Sequence, residues 1–268
     1  MASATRPREN LVQPPEEHWR PPRYDNRDGW GGIKSAALRF LDLQAGTVWD
    51  DLSTELPKVT GSVLDAGCGL QPYRRLFSTE ARYLGIDTSD SKAHFGYEAP
   101  DTRYFSGNKW PVKNQSMDFI LSTETLEHVP EPLVFLREAF RCLRPGGRLL
   151  MTIPFAARWH FAAHDYWRYT PAGLNLLLTK AGFEKVEIFA RGNQLTVACY
   201  KVMAFILSLL FPLHPQPAFR WLLRLSGFLG MPLLAFAAIL ANLTKGIDGS
   251  VDCLGYTVWA SKKSSKKK

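Results

Sequence analysis

After a polar, proline-rich stretch over residues 1–30, apolar positions fall first at helical spacing and then in short runs punctuated by glycine, proline and charge. Ile33, Leu38 and Leu41, followed by Val48 and Leu52, predict helix over residues 33–56. Short apolar runs at Ser62–Asp65, Tyr83–Asp87 and Met117–Ser122 read as strands. Leu133, Leu136, Ala139, Phe140 and Leu143 line one side of a helix over Glu131–Leu143, which Pro145-Gly146-Gly147 ends. Arg148–Pro154 is a further strand. Thr170-Pro171 opens a helix that Gly182 closes, because the threonine hydroxyl caps it and proline suits the first turn. Lys185–Ala190 and Gly255–Ser261 complete the strands.

Strands alternating with helices predict a mostly parallel, doubly wound α/β sheet, whose ligands sit beyond the carboxyl ends of its strands. One segment is too apolar for a loop. Between the last two strands, nine of the ten residues of Val202–Phe211 are apolar, and Leu225–Thr244 is twenty residues without a charge. By length the second run could span a bilayer. The first is short and is followed by Pro212, Pro215 and Pro217, and Arg220 and Arg224 would then lie on the far side, against the positive-inside tendency. The reading favoured is a helical hairpin within an insert over 196–245, lying in or dipping into the cytoplasmic membrane interface, with Arg220, Trp221 and Arg224 at headgroup level; packing within a soluble body, a dimer contact and a true span are the alternatives.

Composition changes this picture little. The chain has 268 residues, 46% hydrophobic and 22% charged, which excludes a disordered or collagenous chain. Its formal charge is +8, but the last seven residues hold five lysines, leaving +3 elsewhere. The basic character belongs to a tail over 263–268, solvated or set against an anionic membrane. With no broad basic stripe interleaved with aromatics, a nucleic-acid partner is not expected. Cys68, Cys142, Cys199 and Cys253 are scattered without metal-ligand spacing, and no apolar leader is visible, so the expectation is a reducing, cytoplasmic setting, peripheral at the inner membrane face if the membrane reading holds, and no metal site. The domain plan is a polar arm over 1–30, one domain over 31–262 and the tail.

The candidate chemistry gathers around Val63-Leu64-Asp65-Ala66-Gly67-Cys68-Gly69, a strand, an acid and a tight glycine turn. Glycines let backbone approach a ligand closely. Asp87 ends the next strand, where a carboxylate accepts both hydroxyls of a ribose, and Asp65 is placed to face a cationic group. A dinucleotide fingerprint shares the glycine-to-acid spacing, but Pro72 stands where its third glycine belongs, and Asp65 sits poorly against a pyrophosphate. A ribose, an adenine and an amino-acid end without phosphate fit better; S-adenosylmethionine has these parts.

VLDAGCG, YLGIDTS, SMDFILSTETLEHVPEP and LREAFRCLRPGGRLLMTIPF, in that order, resemble the class I S-adenosylmethionine-dependent methyltransferases of the type 11 group over about residues 60–190, with Gly255–Lys262 similar to the final strand. The resemblance implies a Rossmann-like seven-stranded sheet with an antiparallel last strand. It places Asp65, Gly67, Cys68 and Gly69 around the methionine end, Asp87 and Thr88 at the ribose, and Ser106–Trp110 along the adenine. Gly107 stands where relatives often carry an acid, so Asn108 is the expected adenine partner. Thr123 and Glu124 would lie next to the cofactor. The stretch HDYWRYTPAGL resembles bacterial members associated with surface polysaccharides or lipid-linked sugars.

Methyl transfer from a sulfonium needs orientation and dryness, and a base only where the acceptor is a hydroxyl or a protonated amine. The candidates for that base or for substrate contact are the Glu127-His128 pair, the His164-Asp165 pair and, third, His160; alternatively His128 pins its loop, and Asp165 pairs with Arg168 in a staple on which Trp167 packs. The expected acceptor is lipid-linked or membrane-proximal, a glycan lipid or a quinone precursor. A soluble small-molecule enzyme with the insert as a lid, a membrane-associated scaffold without catalysis and a nicotinamide oxidoreductase are the competing readings.

Overall fold

A computed structural model of the chain describes residues 30–160, 164–212, 217–247 and 252–264. The arm over 1–29 and the last four lysine-tail residues, 265–268, lie outside them. In chain order the elements are α1 (Trp30–Leu41), α2 (Leu43–Glu55), β1 (Gly61–Ala66), β2 (Ala81–Thr88), α3 (Ser89–Phe95), β3 (Thr102–Phe105), β4 (Met117–Thr123), α4 (Pro132–Cys142), β5 (Leu143–Pro154), α5 (Pro171–Ala181), β6 (Glu184–Arg191), α6 (Gln194–Leu210), α7 (Pro217–Leu229), α8 (Met231–Thr244) and β7 (Gly255–Ser261).

The strands form one seven-stranded sheet in the order β3-β2-β1-β4-β5-β7-β6, parallel except for β7, which runs antiparallel to both β5 and β6. This is the Rossmann-like sheet expected, with its reversed last strand. The central strands are apolar on both faces: Leu64, Ile120 and Leu149 pack in one cluster, and Val63, Phe119, Leu121 and Leu150 in another. Two-sided burial is what helices on both faces demand. The chain order reverses between β1 and β4, so the crevice beyond their carboxyl ends is where such sheets hold ligands.

Several local expectations needed correction. The helix read over 33–56 is two helices. Asp42 breaks it, and its carboxylate accepts the Ala45 N–H at 3.2 Å to cap α2. Val48 and Leu52 are buried, whereas Ile33, Leu38 and Leu41 are exposed, so the first part of that stripe faces outward. Pro145-Gly146-Gly147 does not end α4, which stops at Cys142, but forms an irregular stretch inside β5, which starts at Leu143 rather than Arg148: pairing with β4 passes from Met117–Leu143 to Phe119–Arg148. Gly146 adopts the left-handed conformation there, and its N–H donates to the Lys262 carbonyl at 3.0 Å. The short edge strand β3 had no reading of its own in the pattern.

The insert leaves the sheet at Arg191 and returns at Gly255, two residues paired with each other at the carboxyl edge of β5. It holds three helices rather than a hairpin. The charge-free run of twenty residues is divided at Gly230, ahead of Pro232 in the first turn of α8, and the two helices there meet at a bend of 47°. Among the described residues no single helix is long and apolar enough to cross a membrane; the bent pair reaches that length only together. The inner faces of α6 and α8 bury Met203, Ile206, Leu234, Ala237 and Ala241 with Leu43 of α2.

Arg191 ties the insert's root to the sheet. Its buried guanidinium donates to Glu124 Oε1 at 2.7 Å and to the Ile153 carbonyl at 3.2 Å. Gly255 is what lets it pass, since a Cβ there would lie 2.4 Å from Arg191 Nη2. Replacing Arg191 by Met would strand Glu124 and remove a cross-sheet clamp. We expect Arg191→Met to lower the unfolding free energy by about 3 kcal/mol, measured as a shift in denaturant midpoint at unchanged slope.

Candidate active site

The turn after β1 closes directly onto the end of β2. The N–H groups of Gly67 and Cys68 both donate to the Ile86 carbonyl, at 2.9 and 3.2 Å. Gly67 and Gly69 have positive φ, and a Cβ on Gly67 would lie 2.4 Å from the Thr125 methyl. Cys68 turns its thiol under Gly85, where an added Cβ would meet the sulfur at 2.7 Å. Burial pushes that thiol's pKa up, so the residue contributes backbone and packing rather than a nucleophile.

Asp87 lies beside this turn and is nearly buried. Its Oδ2 accepts the Gly69 N–H at 2.9 Å and the Tyr97 hydroxyl at 3.1 Å, while Oδ1 accepts the Thr88 N–H at 2.7 Å. Burial raises its pKa, and the N–H donors oppose the shift. Thr88 caps α3 through its hydroxyl, which accepts the Ser91 N–H. Asp65 is buried at the end of β1. Its Oδ2 accepts the Tyr83 hydroxyl at 2.7 Å, whereas Oδ1 receives no hydrogen bond among the described residues. Burial lifts its pKa to about 7, the Tyr83 hydrogen bond opposes this, and Asp87 adds to it.

A cavity of about 540 Å³ lies over the ends of β1 and β2, with Ile86, Asp87, Asn108, Trp110, Glu131 and Phe135 among its walls. A second hollow of about 160 Å³ adjoins it under Gly67, Gly69, Tyr97 and Thr123. Asp87, Thr125 and His128 border both. Asn108 is in the large lobe as expected, but its amide N–H donates to Glu131 Oε2 at 3.1 Å. A carboxylate from the start of α4 thus stands in the cavity whose own loop has only Gly107. Sequence order hid this, because Glu131 is 24 positions after Gly107.

His128 follows β4 at the border of the two lobes. Its Nδ1–H donates to the His164 carbonyl at 3.0 Å. Burial, then the neighbouring His160 ring, push its pKa down to about 4, so the imidazole is neutral near pH 7. The His164 ring lines the large lobe with Tyr166, its Nδ1 lying 3.3 Å from the tyrosine hydroxyl. Asp165 does not border either lobe. Its carboxylate takes Arg168 at 2.5 and 2.7 Å and the His160 N–H at 3.1 Å. Although burial alone would raise its pKa, Arg168 holds it below the usual carboxylate range. Trp167 stacks near Tyr169 and donates to the Val129 carbonyl at 3.0 Å. The staple describes Asp165 and Trp167, while His164 faces the cleft. Tyr83, Tyr97 and Glu131 had no site reading in the sequence, whereas Glu127, a candidate together with His128, lies buried beneath that ring.

The cleft suits S-adenosylmethionine on two counts. Asp65 borders neither lobe, but its buried Oδ1, which receives no hydrogen bond among the described residues, calls for a donor or a cation next to the turn. A Cβ on Gly69 would enter space whose nearest described boundary is the Tyr97 hydroxyl at 3.9 Å, so the turn leaves room against its backbone.

Comparison with known proteins agrees. Residues 39–188 match the family model described as a methyltransferase domain. The chain is 30% identical to an uncharacterized methyltransferase of Mycobacteroides abscessus over 39% of this chain, spanning about half (52%) of that relative's length. It is also 30% identical to a ubiquinone biosynthesis O-methyltransferase of Ruegeria pomeroyi, over 58% of this chain and 73% of that one. A solved S-adenosylmethionine-dependent methyltransferase of Thermotoga maritima, described as a possible histamine N-methyltransferase, shares the fold at 17% identity. Its TM-score is 0.52, over 87% of this chain and 95% of that one. With the match covering more than half its length, this chain belongs to the S-adenosylmethionine-dependent methyltransferases of the class I fold.

Proposed function

We propose that the chain transfers a methyl group to a hydroxyl oxygen of a membrane-proximal acceptor, an aromatic quinone precursor with an apolar tail. The observation that carries this reading is the outer face of the insert. Phe205, Phe211, Trp221, Leu225, Phe228, Leu229, Phe236 and Leu243 are all exposed on α6–α8 and the residue after α6, far more apolar surface than scattered single residues explain. Arg220 and Arg224 lie exposed on α7, where an anionic headgroup layer would meet them. The insert leaves and re-enters the sheet at the edge that bears the cleft. The ubiquinone-pathway names of the Ruegeria pomeroyi and Cereibacter sphaeroides relatives support the same acceptor class.

In this reading Asp87 accepts the ribose hydroxyls, and Asp65 faces the cationic methionine end beside Gly67, the Cys68 backbone, Gly69 and Thr123. Thr88 borders the ribose. Glu131, oriented by Asn108, takes the adenine amino group in place of the absent acid at 107. When bound, the cofactor supplies an electrophilic sulfonium methyl. The chain's residues hold the acceptor oxygen in line and keep water out. The neutral His128 takes the acceptor's hydroxyl proton on Nε2 as the oxygen–carbon bond forms and the carbon–sulfur bond breaks. His164 and Tyr166 border the acceptor end.

The functional test compares polyprenylated and tailless phenolic acceptors in vesicles containing anionic lipid, by mass gain of one methylene equivalent. Trp221→Glu with Phe228→Glu should raise KM for the tailed acceptor about tenfold or more and leave the tailless one unchanged; equal effects on both, or activity on neither, would refute the membrane reading. Asp87→Ala should weaken cofactor binding by about 1.5–3 kcal/mol per hydrogen bond removed, read by calorimetry. Asp65 has a folded-state pKa near 7, above its ordinary value. The stability it contributes is therefore present at low pH and is lost as pH rises towards and through 7. In the cofactor-free protein, the Tm of Asp65→Asn relative to the unsubstituted chain should become more favourable from about pH 5 to about pH 8, while cofactor affinity falls.

A further inference from the structure

Glu127, His128 and His160 converge at the border of the cleft, with one ligating atom from each within 4.8 Å of the others. The two rings meet edge to face with centroids 5.1 Å apart. Hydrogen bonding fixes which nitrogen carries the proton. A backbone carbonyl only accepts, so the His164 carbonyl takes the N–H of His128 Nδ1 at 3.0 Å, and the Arg158 carbonyl takes that of His160 Nδ1 at 2.9 Å. In the neutral rings Nε2 is then the lone-pair nitrogen of each. His128 Nε2 stands 3.5 Å from Glu127 Oε1. The Glu127 side chain is wholly buried, and neither of its oxygens receives a hydrogen bond among the described residues. A lone pair and a carboxylate oxygen facing each other away from water repel unless something positive lies between them.

Two imidazoles whose outer N–H groups are fixed by carbonyls, together with one carboxylate, form the donor set and supporting hydrogen bonds of zinc-type centres that keep an open position. Magnesium and calcium prefer oxygen ligands and do not match it. We propose that Glu127, His128 and His160 bind one divalent transition-metal ion of the zinc class. His128 also borders both lobes of the cleft, so the ion's open position would face the acceptor. A bound ion would occupy the same Nε2 lone pair that the oxygen-acceptor reading above assigns to the base, so the two roles of His128 exclude one another; metal binding itself does not rest on that reading.

The test uses the full chain, stripped with a chelator and then titrated with zinc by calorimetry and with cobalt by visible absorption, without cofactor or acceptor. The expected result is one equivalent of zinc per chain, cobalt bands of a four- or five-coordinate centre, and no binding of magnesium at the same concentration. Glu127→Gln and His160→Ala should each weaken zinc binding about 100-fold. His160 is on a loop and partly exposed, so its variant tests the site even where the Glu127 change impairs folding. Substoichiometric zinc, or full binding unchanged in His160→Ala, would overturn the assignment and leave a shared proton between Glu127 and His128. Because no methyl transfer is measured, a wrong acceptor would not produce either result.

Discussion

The site depends on one backbone contact, the turn after β1 folding back onto the last residues of β2. Two amide donors of that turn meet a single carbonyl, that of Ile86, and a third, on Gly69, holds Asp87. Such closeness is available only to a chain with positive φ at Gly67 and no Cβ at Gly85. From it follow the burial of Asp65, the aim of Asp87 and the hollow beneath Gly69. The neighbouring strands then need only end at the same level, which parallel pairing ensures.

That contact shows why this part of the protein was legible in sequence. Glycines at fixed offsets and acids at strand ends have few other uses, so Asp65, Gly67, Gly69 and Asp87 stood out from local order alone. The sheet was readable for a related reason: two-sided burial turns its central strands into unbroken apolar runs. Residues that act across long separations were not readable. Glu131 reaches Asn108, Tyr83 reaches Asp65 and Arg191 reaches Glu124, and none of these pairs leaves a periodic trace. The helix and turn errors had local causes. Asp42 serves as a cap inside an apparently continuous stripe, and Pro145-Gly146-Gly147 is absorbed into β5 because Lys262 supplies partners for its backbone.

Charge at the cleft follows from burial more than from pairing. Asp65, Asp87 and Glu127 all have pKa values raised by removal from water, and His128 has its value lowered by the same cause. Arg168 neutralises Asp165 away from the cavity, and Arg191 engages Glu124 at its rim. The protein thus pairs its cations away from the cavity floor, holds Asp87 at the cleft with three hydrogen bonds, and buries Asp65 and Glu127 beside it with oxygens that receive none among the described residues. This is the arrangement a cationic ligand completes, and it costs stability until one arrives.

Both ends of the α6–α8 segment meet at a single residue pair, Arg191 with Gly255, on the last connection of the sheet. No strand of the nucleoside-binding half is interrupted by it. Evolution can therefore exchange this cassette for another without disturbing the half that holds the nucleoside, so where the enzyme works and what chemistry it performs are inherited separately. A chimera that trades only residues between those two anchors would carry its cofactor pocket intact to a new address.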